Sequence, residues 1–213
     1  MSLKIPFILA QDFTVENLII GLVAFAIALT IHAEAQAFMA NQLHYDEIVK
    51  KKRFFSFNPL AHLDPFALVA FLLGGFGWPK RIAPHLKPKK LWHLILIQLA
   101  GPLANLLLAN IIGSIILVLG KMDAAHMDEK AINILMATNV CFGIYNLLLP
   151  LPPMAMGNIA SRLFPSNGRE TAAYTAGILV IFSILLFEYM TGTPLITGTI
   201  NGITHSVFWF LKP

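Results

Sequence analysis

Three side chains in the first long apolar stretch are of types that do chemistry: His32, Glu34 and Gln36, within "LTIHAEAQAF" (29–38). Ionisable groups deep in an apolar segment are rare, and a functional role is their default reading. Helix geometry sorts the three. His32 and Gln36 are four residues apart and share a face; Glu34 is two from each and points to roughly the opposite side. The plain structural reading makes His32 and Gln36 a pair hydrogen-bonded to neighbouring helices. It makes Glu34 a protonated or paired carboxyl packed against a polar group, with Gln98, Asn105 and His93 of a later apolar segment as candidates. An unpaired, charged Glu34 facing lipid would cost about 2–3 kcal/mol or more.

A zinc-protease helix reads H-E-x-x-H, with two histidines on one face for the metal and the glutamate as general base. The five positions here are His32, Ala33, Glu34, Ala35 and Gln36. The first ligand is present. The base position holds Ala33, and the second ligand position holds Gln36, whose neutral amide is a poor zinc ligand. Glu34 faces the wrong way to replace the base.

These side chains must be positioned by membrane helices. Of 213 residues, 57% are hydrophobic and 12% charged. A soluble domain carries about twice that share of charge, so the chain reads as an all-α polytopic membrane protein. One cysteine, Cys141, excludes a disulfide framework within the chain and a Cys-rich metal cluster. The first residues, "MSLKIPFILAQDF", hold too short an apolar patch for a signal-peptide core, so the first membrane helix is expected to direct insertion. The net charge of +4 comes from clusters between apolar segments, "KKKR" (50–53), "PKR" (79–81) and "KPKK" (87–90). Topology signals lie in such places, so a nucleic-acid partner is not expected and the lipid bilayer is.

Spans are expected at about 15–40, 91–119, 131–149 and 171–190, since a crossing needs roughly 20 apolar residues. The run 66–78, "FALVAFLLGGFGW", is too short to cross and reads as a re-entrant (hairpin) or half-span element. "FFSF" (54–57) is a candidate short strand. Gly101-Pro102 should loosen or kink its helix, and residues 121–130 form a short loop with Asp123, Asp128 and Glu129. The tail 194–211 reads either as another span or as an interfacial element. The expectation is therefore four to six transmembrane helices in one integral membrane domain, 1–213, with a core at about 14–165 and C-terminal helices at about 170–213. Lys50, Lys51, Lys52, Arg53, Lys80, Arg81, Lys87, Lys89, Lys90, Arg162 and Arg169 fall on one side of this layout, eleven of the fifteen basic residues. The positive-inside rule puts that side in the cytoplasm and the N-terminus outside, with a bacterial-type cytoplasmic (inner) membrane as the expected location. His32 then lies in the cytoplasmic half of the bilayer.

Four words of the sequence resemble one family. "LTIHAEAQAF" takes the place of L-T-x-H-E-x-x-H-A. "FNPLAHLDPF" (57–66) matches N-P-x-x-H-x-D-P. "GGFGWPKRI" (74–82) followed by "LAGPLANLLLA" (99–109) matches G-F-G-W-x-K-x-V and A-G-P-x-A-N. "YNLLLPLPPMAMGNI" (145–159) resembles F-N-L-L-P-x-P-P-L-D-G. In this order and over about 27–165, the chain is similar to the site-2 proteases, intramembrane zinc metalloproteases that cut transmembrane segments. The resemblance implies a third zinc ligand at the aspartate of L-D-G, where this chain has Ala155. It implies a role in holding substrate backbone for the asparagine matched by Asn146. It places Asn58, His62 and Asp64 in a loop motif that does not bind zinc. Taken alone, those loop groups read as local staples, Asp64-Pro65 starting a turn and His62 bonding backbone.

The base position and two of three ligand positions thus depart from the family's pattern at Ala33, Gln36 and Ala155. Without metal or base there is no activated water. The reading is a catalytically inactive, site-2-protease-like subunit or docking partner for another membrane protein. Zinc and other cofactors are not expected, and His32, Glu34, Gln36, Asn105 and Asn146 are candidate residual polar or binding groups. The alternative is an intramembrane zinc metalloprotease with a rearranged site, drawing ligands from His32, His62, His85, His93, Glu34 and Asp64. A small transporter or channel is a third reading, permitted by the broken helices at Gly101-Pro102 and Pro150 to Pro153.

Overall fold

The computed structural model describes residues 14–45, 56–80, 90–121, 129–163 and 170–212. Among them the structure is all-helical: α1 (Val15–Gln42), α2 (Pro59–His62), α3 (Pro65–Gly74), α4 (Leu91–Lys121), α5 (Glu129–Leu148), α6 (Ala155–Leu163), α7 (Glu170–Thr191) and α8 (Ile196–Leu211). Helices α1, α4, α5 and α7 are long and apolar enough to cross a bilayer, so the chain is a polytopic all-α membrane protein in contact with lipid.

α1 begins where the Thr14 hydroxyl accepts the Asn17 N–H at 3.1 Å, with Glu16 in the positive first turn. Its two faces differ. Val15, Ile19, Val23 and Ile27, spaced by four, are exposed and form a lipid face. Ala24, Ala28, Ala33, Ala37 and Ala40 are fully buried or nearly so, and their small side chains let α4 and α5 approach closely.

The run after α2 is a re-entrant hairpin, as its length predicts. Asp64 caps α3, which has Pro65 in its first turn and stops at Gly75, in the left-handed conformation at φ 73°. The extended limb 76–80 then returns to where it entered. The Lys80 N–H reaches the His62 carbonyl at 2.8 Å, and the Trp78 indole N–H reaches Asp64 Oδ2 at 3.2 Å. Aromatic contacts wedge the hairpin between α1 and α5: Phe71 packs on Phe25 at 4.7 Å between centroids, and Phe76 stacks on Tyr145 at 4.2 Å.

α4 runs continuously through Pro102. The chain between α5 and α6 crosses the cis Pro152-Pro153 bond. α5 is the most enclosed span, 61% buried, and α7 the least, 17% buried. α7 presents Leu179, Leu186, Tyr189 and Met190 outward. It is fastened inward by the Tyr174 hydroxyl donating to Asp64, and by Gly177, where a Cβ would strike the Pro152 carbonyl.

The tail left open by sequence is helix α8. At 16 residues it is about 24 Å long, against a hydrocarbon core of roughly 30 Å. It docks on the other helices. The Glu188 carboxylate accepts the Ile196 and Thr197 N–H groups at 2.6 and 3.1 Å, and Tyr145 donates to Asn201 at 2.9 Å. Phe208 is buried and the Leu211 carbonyl lies against Gly113.

The expected strand at "FFSF" is half testable: Ser56 and Phe57 are irregular, while Phe54 and Phe55 lie outside the described residues. Outside them too lie His85, Lys50 to Arg53, Arg81, Lys87, Lys89, Arg169, Asp123 and Asp128.

Candidate functional site

The polar groups of α1, α4, α5 and α6 join in one buried chain of hydrogen bonds. Its orientation is set by backbone carbonyls. Asn139 Nδ2 donates to the Leu135 carbonyl at 2.9 Å, which turns Asn139 Oδ1 toward Asn105. Asn105 Nδ2 donates to that oxygen and to the Ala28 carbonyl, both at 2.9 Å. Asn105 Oδ1 is therefore the atom facing His32 Nδ1 at 2.9 Å, and Nδ1 must carry the proton. In the neutral ring Nε2 then keeps its lone pair, and Gln36 Nε2 donates to it at 3.3 Å. The expectation of a His32–Gln36 pair bonded to neighbouring helices agrees with this geometry. All four side chains are buried, His32, Asn105 and Asn139 at 0% exposure.

The sequence A-G-P-x-A-N of α4 is what admits this chain. Gly101 faces the His32 ring, and a Cβ there would overlap Cδ2 and Nε2. Pro102 has no N–H, so the Gln98 carbonyl loses its helical partner. Gln36 Nε2 reaches that carbonyl at 3.5 Å. The helix does not break at Gly101-Pro102 because the freed carbonyl finds a partner on α1. Gln98 continues the chain through its Oε1, which accepts from Asn158 Nδ2 of α6 at 3.1 Å. The same Asn158 Nδ2 donates to the Pro153 carbonyl at 3.1 Å. Asn158 Oδ1 is buried without a partner among the described residues.

Glu34 does not pair with Gln98, Asn105 or His93. It faces away from His32, as helix geometry predicts, but toward the loop before α2. Its Oε1 accepts the Ser56 N–H at 2.8 Å, the Phe57 N–H at 2.9 Å and His62 Nε2 at 2.9 Å. The loop comes close enough because Phe57 adopts a left-handed φ of 47°, which turns two successive N–H groups to one oxygen. His62 is thus not a local backbone staple. Its side chain bonds an acid 28 residues earlier, because burial leaves it no water. His93 bonds the Tyr45 hydroxyl at 3.0 Å.

Asn58 and Asp64 are helix caps, accepting the Leu60 and Phe66 N–H groups at 3.0 and 2.9 Å. Asp64 does more than start a turn, since its second oxygen takes Trp78 and Tyr174. Asn146 is buried and occupied at both ends. It donates to the Gly77 and Phe142 carbonyls at 2.9 Å and accepts the Ala155 N–H at 3.2 Å. Ala155, 1% exposed, opens α6.

Sequence reasoning missed Asn139 and Asn158 and gave Gln98 the wrong partner. A signal existed for Gln98: a proline four residues on frees its carbonyl. Among the described residues no three His, Cys, Asp or Glu side chains converge as a metal site.

The fold and the site words together define the class: an all-helical membrane protein with a metalloprotease-type core. A protein of Bacillus subtilis (strain 168) named "Putative zinc metalloprotease YwhC" is 31% identical over 194 residues, 85% of each chain. The chain belongs to this site-2-protease-like family. No protein-family model and no solved structure matches it. The family implies zinc, and the residues present do not fit its three-ligand pattern. One ligand position holds His32, whose free lone pair takes the Gln36 amide, and the third holds the methyl of Ala155.

Proposed function

We propose that the chain is a non-catalytic member of this family that acts by binding, as a structural subunit or docking partner for another membrane protein. The supporting observation is the bond from Gln36 to His32 Nε2. The one imidazole of the family's ligand pattern is spent on a side-chain amide. At the base position Ala33 is fully buried, and its methyl group cannot activate water. The polar chain links four helices and supplies the interhelical bonding that membrane bundles use.

Extraction of the native protein in mild detergent, with mass determination and identification of what co-purifies, tests the binding role. One or more partners in fixed stoichiometry is the expected result. A chain that elutes alone from every gentle detergent would overturn it.

The rearranged metalloprotease is the second reading, favoured by the name of the Bacillus relative. Its candidate ligands have separate partners: His32 with Asn105 and Gln36, His62 with Glu34, His93 with Tyr45, and Asp64 with Trp78 and Tyr174. His85 lies outside the described residues.

A further inference from the structure

The site words do not absorb Glu34, which sits at an unspecified position of H-E-x-x-H and yet is the most heavily used carboxylate on α1. We infer that Glu34 is a positioning residue: with His62 it forms a latch that fixes the re-entrant hairpin against α1. Glu34 is 6% exposed and His62 3% exposed, so water competes with neither. Three donors meet on Glu34 Oε1, two of them backbone N–H groups of Ser56 and Phe57. Bonds to a carboxylate oxygen are among the strong ones.

The latch reaches further than its own loop. His62 is bound to Glu34 by its ring and to Lys80 by its carbonyl, at 2.8 Å. Lys80 ends the limb that returns from the hairpin tip. Two residues after His62, Asp64 takes the Trp78 indole of the same limb. A shift of Glu34 is thus passed through His62 to Lys80 at the end of 76–80 and, by way of Asp64, to Trp78 at its middle. That limb also carries the Gly77 carbonyl to which Asn146 donates, so the latch sets the register between α1 and α5 across the hairpin. Glu34 Oε2 is buried with no partner among the described residues, so the whole bonding load falls on one oxygen.

Hydrogen exchange by mass spectrometry on the full chain in nanodiscs tests this, reading segments 56–63, 76–80 and 106–116. Glu34→Ala is expected to speed exchange at both 56–63 and 76–80 by about 10-fold or more, the scale of a lost charge-assisted bond. Segment 106–116 of α4, which takes no bond from the latch or the limb, serves as the internal control and should not change. Glu34→Gln keeps the volume and one acceptor oxygen, so it should restore protection at Ser56 and Phe57 in part. His62→Phe removes the ring bond alone and should loosen 76–80 with little effect at Ser56. A local cap without the latch predicts otherwise: 76–80 would keep wild-type exchange in both Glu34→Ala and His62→Phe. That outcome would overturn the inference. Should Glu34→Ala fail to fold, His62→Phe and Glu34→Gln carry the same comparison.

Discussion

At the scale of single residues, the role of His32 depends on which ring nitrogen carries the proton and which accepts the Gln36 amide. Asn105 decides it, because its amide is turned by the Ala28 carbonyl and by Asn139. Asn105→Leu keeps the branched shape but strands His32 Nδ1–H and Asn139 Oδ1 in the interior. Each unpaired buried group costs about 1–3 kcal/mol in a protein core, and interhelical bonds in membranes lie toward the low end. Thermal unfolding in detergent should therefore register a loss of about 1–3 kcal/mol; unchanged stability would mean that the bonds carry nothing. Gly101→Ala acts by sterics. Its Cβ overlaps the His32 ring, so overpacking should cost about 1–3 kcal/mol. Combined with His32→Ala, which vacates the space, the Gly101→Ala penalty should shrink. A penalty of equal size in both backgrounds would place the clash elsewhere.

At the scale of elements, Pro102 and Gln36 should be energetically coupled. Pro102→Ala restores an N–H to the helix, and the Gln98 carbonyl then has a partner without α1. Gln36→Met should accordingly cost less in the Pro102→Ala background than in the wild type, as a double-mutant cycle reads it. Strict additivity would show that the 3.5 Å contact contributes nothing. Asp64 offers a second contrast. Asp64→Ala removes a cap worth about 0.5–2 kcal/mol together with the Trp78 and Tyr174 bonds. Tyr174→Phe removes the last of these alone. The melting temperature should fall further for Asp64→Ala, and equal falls would assign the whole effect to α7.

Element identity was largely legible in the sequence. Apolar length alone marks α1, α4, α5 and α7, because a bilayer sets the length. The hairpin was legible from a run too short to cross and ended by Gly74-Gly75. Two things were not. The fate of residues 194–211 depends on docking, through Glu188, Tyr145 and Asn201, which no periodicity encodes. Partners of buried polar groups depend on which helices become neighbours. Glu34 was rightly turned away from His32 by helix geometry, yet its loop partner required the left-handed Phe57.

At the scale of the whole molecule, one polar chain runs from Asn139 through Asn105, His32, Gln36 and Gln98 to Asn158, and so ties α5, α4, α1 and α6 together. It occupies the region where the family's words place metal chemistry. The resemblance carried the positions Ala33, Gln36 and Ala155 from sequence alone, and helix geometry put Gln36 on the His32 face; the Asn105 amide turned by Asn139, which fixes the His32 tautomer, had to come from the fold. The central claim is that His32 is committed to this chain and not to a metal. Zinc content of the protein purified without chelators, by elemental mass spectrometry, tests it most directly. The account predicts far less than one zinc per chain, with the same value in His32→Ala. One zinc per chain that disappears in His32→Ala would contradict it.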